Sequence, residues 1–98
     1  MGDYFDDLAD QKVFENLGTK LAQAGDEGVF HTRERFANGY GISVIRNQYS
    51  YGGRDGLFEL AVLDDMGWIT YDTPVTDDVI GGATPGAVIH LAKMVAAL

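Results

Sequence analysis

Leu57–Leu63, LFELAVL, is the stretch that most limits what this chain can fold into. It is apolar except at Glu59, and a nearly continuous apolar run of this length fits a central strand covered on both faces. Ile42–Arg46 precedes it, with the β-branched Ile42, Val44 and Ile45 suited to a pleated surface. Trp68–Tyr71 follows after the turn Asp64-Asp65-Met66-Gly67 and reads as a third, shorter strand. Val29–Ala37 alternates as a further strand candidate, with Phe30, Thr32, Glu34 and Phe36 on one face. These features predict an antiparallel meander of three strands, or four if Val29–Ala37 joins.

Asn38-Gly39 is a strong hairpin signal. A two-residue loop there would place Arg35 beside Ile42 and Arg33 beside Val44, a poor match for a buried face. Either the loop is longer, or the arginines lie over the sheet with only their heads in water.

Helices are expected at both ends. From Asp10 to Ala24, Val13, Leu17, Leu21 and Ala24 fall on one stripe beside Phe14, with Asp10 as a candidate N-cap and Gly25 as a stop. Gly18 weakens this helix by about 1 kcal/mol relative to alanine. Tyr4, Phe5 and Leu8 do not share the stripe, so a break is expected near Asp10–Lys12. The acidic opening, residues 1–10, reads as a flexible N-terminus. After Asp72-Thr73-Pro74, Thr76 or Asp77 is expected to cap one short turn through Ile80, ended by Gly81-Gly82.

Thr84-Pro85 then opens the last helix, Pro85–Leu98, with Thr as N-cap and Pro at the first helical position. Its less apolar positions, Gly86, His90, Lys93 and Ala97, form one narrow stripe. Such a helix must be covered on more than one side. The sheet is one cover; the other is the N-terminal helix or a second copy, with Val88, Leu91, Met94 and Val95 as the candidate oligomer interface. The expected class is therefore α+β: a small antiparallel sheet of three or four strands packed against a C-terminal helix, with a helical N-terminal segment.

Ninety-eight residues suit one domain, 1–98, burying roughly 60–65% of the unfolded chain's surface. A hydrophobic content of 46% with eleven aromatics argues against intrinsic disorder despite a net charge of −8. There is no cysteine, which excludes disulfides and thiolate metal sites. The N-terminus is acidic where a signal peptide is basic, and no apolar run approaches membrane-spanning length. A cytoplasmic setting is the expectation. Seven Lys and Arg against fifteen Asp and Glu would repel phosphate, so direct nucleic-acid binding is not expected. An acidic surface suits a basic protein partner, although solubility alone accounts for it as well.

Catalytic chemistry finds little support. His31 and His90 sit in no metal-ligand or triad spacing. Gly39-Tyr40-Gly41 lacks both the third glycine and the strand-to-helix context of a nucleotide loop, and serves a turn instead. Asp64-Asp65 and Asp77-Asp78, with Asp72 between, lack the spacing of a calcium loop; helix-start acids and a polar turn explain them. No cofactor is implied, and an enzyme is the class least supported.

Asn47–Gly56, NQYSYGGRDG, is the candidate for function. It is long for a hairpin connection and carries Tyr49, Tyr51 and Arg54, types enriched at binding hot spots, among adaptable Ser and Gly. With Arg46 it forms the one basic spot in an acidic chain. Against this stands the possibility that the tyrosines fold back over the sheet edge. A small-ligand pocket around the same residues is a further alternative.

The words NGYG-SVI, YGG--GL-ELAVL and YDTPVT-DVIG, spread over about residues 36–98, resemble those of small uncharacterised proteins encoded by tailed bacteriophages. No activity or catalytic residue comes with that resemblance. It implies a host-cell cytoplasmic setting and interference with a host protein, for which the acidic balance suggests a host-defence nuclease or its effector complex. A homo-oligomeric structural or accessory role is the alternative.

Overall fold

A computed structural model of the chain describes residues 3–98, with side chains from Ala9 onward. The order is α1 (Asp3–Ala24), β1 (Phe30–Arg35), β2 (Gly41–Arg46), a 3-10 turn at Gly53–Asp55, β3 (Phe58–Leu63), β4 (Ile80–Ala83) and α2 (Pro85–Ala96). The strands form one antiparallel sheet in the order β1-β2-β3-β4. The α+β architecture expected from the sequence is the one observed, with LFELAVL at an interior position of the sheet.

Register separates the two faces. Thr32, Val44 and Leu60 stand in one row and Glu34, Ile42 and Val62 in the next. Both helices lie against this face. Leu17 and Leu21 of α1, and Val88, Ala92 and Val95 of α2, close a core with Phe36, Ile42, Val44, Phe58, Leu60, Val62 and Ala83. The alternation of Phe30, Thr32, Glu34 and Phe36 predicted their common face correctly. The other face carries His31, Ile45 and Glu59 in one row, Arg33, Ser43 and Ala61 in the next, and Arg35, Gly41 and Leu63 in the last.

The β1–β2 loop is longer than two residues. Phe36 N–H donates to Tyr40 C=O at 2.9 Å and Gly39 N–H to Phe36 C=O at 3.0 Å, with Gly39 at φ 93°. This is a three-residue connection whose last residue is left-handed, a conformation glycine adopts without a Cβ penalty. It pairs Arg35 with Gly41 and Arg33 with Ser43, which removes the clash with Ile42 and Val44. Asn38 has a second task. Its Nδ2 donates to the carbonyls of Val95 (2.9 Å), Ala96 (3.1 Å) and Leu98 (3.3 Å), which ties the β1–β2 loop to the end of α2.

Three expectations need correction. First, α1 is continuous through Asp10–Lys12. Asp10 is not its N-cap: it is a buried residue within the helix whose Oδ1 accepts from Ala37 N–H at 2.9 Å. That contact pairs a buried carboxylate inside the helix, so Asp10 serves packing against the β1–β2 loop rather than a helix start. The acidic opening, read as flexible, falls partly outside the described residues; from Asp3 the backbone is helical.

Second, Trp68–Tyr71 is not a full strand. It makes one bridge, Leu63 with Ile69, flanked by Asp64 N–H to Trp68 C=O (2.8 Å) and Thr70 N–H to Val62 C=O (2.9 Å). Third, the short turn capped at Thr76 or Asp77 does not run through Ile80 to a stop at Gly81-Gly82: the Thr76 hydroxyl accepts from Asp78 N–H at 3.1 Å, but Ile80–Ala83 is strand β4, paired with β3 through Ile80–Leu60 and Ala83–Phe58. Two pieces in line therefore cover one edge of β3, and residues 71–79 leave and rejoin that edge between them.

α2 begins as expected. The Thr84 hydroxyl accepts from Ala87 N–H at 3.2 Å and Pro85 takes the first helical position. Gly86, His90, Lys93 and Ala97 are all exposed, as their stripe predicted. α1 supplies the second cover: the Phe14 ring packs 5.6 Å from that of Phe36 and lies 5.8 Å beneath Lys93 Nζ. No helix among the described residues is long and apolar enough to cross a membrane.

Candidate functional site

The Asn47–Gly56 connection begins at Arg46, which is not part of an exposed basic spot. Arg46 is fully buried on the helix-facing side, in line with Ile42 and Val44 at every second position. Its guanidinium uses all five N–H groups on main-chain carbonyls. Nε donates to Gly28 (2.9 Å), Nη1 to Gly25 (2.7 Å) and Gly56 (3.2 Å), and Nη2 to Ala24 (2.8 Å) and Glu27 (2.7 Å). The Phe58 ring centroid lies 4.8 Å from its Cζ. Ala24 and Gly25 end α1, where carbonyls are unpaired and the helix dipole favours a cation. One side chain thus ties the end of α1, the α1–β1 turn and the base of the loop together. Period-two spacing from Ile42 was the signal in the sequence for this inward position.

The loop is then wired from its first residue. Asn47 Oδ1 accepts from Tyr49 N–H (2.8 Å) and Ser50 N–H (2.9 Å), and Ser50 Oγ accepts from Asn47 N–H at 2.9 Å. Tyr51 reaches across the sheet: its N–H donates to Glu59 Oε1 (3.0 Å) and its C=O accepts from Gly82 N–H (3.1 Å). Leu57 N–H returns to Gly52 C=O at 2.9 Å. A Cβ at Gly53 would stand 1.9 Å from the Asn47 carbonyl oxygen, so this glycine is required by close packing.

On that backbone both tyrosine rings are largely exposed. Tyr49 is 84% exposed and Tyr51 69%. Tyr49 stays clear of the sheet, whereas Tyr51 partly meets the alternative weighed from the sequence: the base of its side chain lies over Gly81 of the edge strand β4 while most of the ring is exposed. Arg54 is exposed, with Nε donating to Gln48 C=O at 3.3 Å. Tyr49 and Arg54 line an open groove of about 580 Å³ together with Val29, itself 84% exposed. Of the four loop residues singled out, the structure therefore brings Tyr49 and Arg54 to one groove, sets Tyr51 beside β4, and withdraws Arg46 into the core.

The candidate oligomer interface on α2 divides too. Val88 and Val95 are buried in the chain's own core and present nothing outward, whereas Leu91 is half-buried and Met94 exposed. His31 and His90 are both exposed. The acidic pairs start no helix: Asp64 Oδ1 accepts from Met66 N–H (2.9 Å) and Trp68 N–H (3.0 Å), and Asp78 Oδ1 from Val79 N–H (2.7 Å). Among the described residues, no three His, Asp or Glu side chains gather as a metal site would require.

Sequence reasoning passed over one exposed segment, the first part of the β3–β4 connection. Met66 (75% exposed), Trp68 (69%), Ile69 (48%) and Tyr71 (52%) all stand in solvent there. Reading Trp68–Tyr71 as scaffold hid it. No family model, curated protein or solved structure matches this chain.

Proposed function

We propose that the chain is a non-enzymatic protein that acts by binding another protein, with the Tyr49–Arg54 loop as the contact. The observation that carries this reading is the display of Tyr49 and Tyr51 on a backbone fixed by its own hydrogen bonds. Rigid aromatic side chains lose little entropy on binding and supply large contact areas. The adjoining groove is open rather than enclosed, a shape that receives a partner's side chain better than it sequesters a small ligand.

The sharper version of the proposal is an inhibitor of a host-defence system in the host cytoplasm. It rests on the resemblance to small phage proteins and on the net charge of −8, which favours a basic partner surface. Passing bacterial lysate at low salt over the immobilised chain tests the binding reading. Retention of a specific protein by the native chain, and its loss with Tyr49→Ala/Tyr51→Ala, is the expected result. Recovery of no specific protein, or equal recovery on both, overturns it.

A further inference from the structure

We infer a second docking surface, the exposed edge of the β3–β4 connection at Trp68–Tyr71, whose aromatic side chains flank it, and assign it an arginine-rich segment of a partner protein as occupant. Trp68, Met66 and Tyr71 are each more than half exposed, although large apolar side chains in one short stretch normally find cover. The backbone there also offers pairing. Ile69 faces Leu63 in a pair flanked by hydrogen bonds rather than making them, so its own N–H and C=O point away from β3. Neither has a partner among the described residues.

Charge selects the occupant. Residues 64–79 contain five aspartates and no Lys, Arg or His. Thr70 stands opposite Val62, and Ile80 opposite Leu60, so the ends of the 71–79 excursion lie close together on the β3 edge. Asp72, Asp77 and Asp78 therefore all belong to one loop whose two ends meet on the edge beside Trp68–Tyr71. The cations nearby are at the opposite end of the patch, where Arg35 donates to the Asp65 carbonyl and Arg33 lies across the neighbouring cleft. A guanidinium stacks on Trp or Tyr faces while bonding to carboxylates, which Lys does less well and an acidic or neutral segment not at all.

Trp68 is the only tryptophan, so its fluorescence reports on this edge without a label. Nona-arginine titrated into the full chain should give a saturable change in that emission. Asp72→Asn/Asp77→Asn should weaken the midpoint at least tenfold. Asp26→Asn/Glu27→Gln, an equal loss of charge beside the other loop, should change it less than twofold. Tyr49→Ala, which addresses the first surface, should leave it unchanged. Equal weakening by the two charge variants would reduce the effect to net charge and overturn the assignment. So would an unchanged emission, or a dimer seen by light scattering that Trp68→Ala dissociates and the peptide does not, since the occupant would then be a second copy.

Discussion

Residues 47–57 and 64–79 leave opposite ends of the central strands, and both carry exposed aromatic side chains, yet they are held in different ways. The first adds to its own local bonds a set of ties to other elements: Gly56 to Arg46 and through it to the end of α1, Tyr51 to Gly82 on β4 and to Glu59 on β3. The second is held largely by neighbours, through Asp64 to Trp68, Thr70 to Asp72, Thr73 to Val75 and Thr76 to Asp78. Its distant ties are Thr70 to Val62, Arg35 to the Asp65 carbonyl, and Val75 against the core. A segment fixed by many elements opens only when they open, whereas one held by local bonds opens alone. Tyr49 and Tyr51 are therefore preorganised, and Trp68 and Tyr71 adaptable.

The comparison breaks most readily at Arg46. Arg46→Met removes five charge-assisted bonds and leaves buried carbonyls unpaired, with an expected loss of about 3–5 kcal/mol in urea unfolding. A loss under about 1 kcal/mol would mean that water replaces the guanidinium and that the first loop is not anchored through it. Arg46→Lys keeps the charge but has three donors on one point, and should recover only part of the loss.

Smaller substitutions sharpen the contrast. Gly53→Ala sets a methyl against the Asn47 carbonyl and should cost about 2 kcal/mol, while also weakening partner binding by shifting the tyrosines. Gly67→Ala in the second loop meets nothing within 4 Å and pays only for its left-handed backbone at φ 82°, about 1 kcal/mol. Smallest of all, Tyr49→Ala and Trp68→Ala should each change stability by less than about 0.5 kcal/mol, since both side chains stand in solvent. Their expected effect is on binding, each for its own ligand.

Which parts of this were legible in the sequence follows the same division. Local patterns were readable: LFELAVL as an interior strand, the face shared by Phe30, Thr32, Glu34 and Phe36, and the Thr84-Pro85 helix start. Features decided by distant contacts were not. Ile80-Gly81-Gly82-Ala83 has a turn's composition, yet it is a strand because β3 offers an edge and Gly81 lies under Tyr51, where a Cβ would come 2.3 Å from the tyrosine's own. Trp68–Tyr71 has a strand's composition but keeps a single bridge. Asp10 looks like a cap, and only the Ala37 N–H explains its burial inside α1. The exposure of Tyr49, Tyr51 and Arg54 agrees with their place in a long polar loop, but Arg46 was misplaced beside them because charge suggested solvent while strand parity pointed inward.

Native-state amide hydrogen exchange tests the rigid display of Tyr49 and Tyr51 most directly. The Gly53, Gly56 and Leu57 amides should exchange nearly as slowly as those of β2 and β3, because opening them requires disturbing the Arg46 anchor. The amides of residues 71–79 should exchange orders of magnitude faster. Exchange at Gly53 and Leu57 as fast as in 71–79 would contradict a preorganised tyrosine loop.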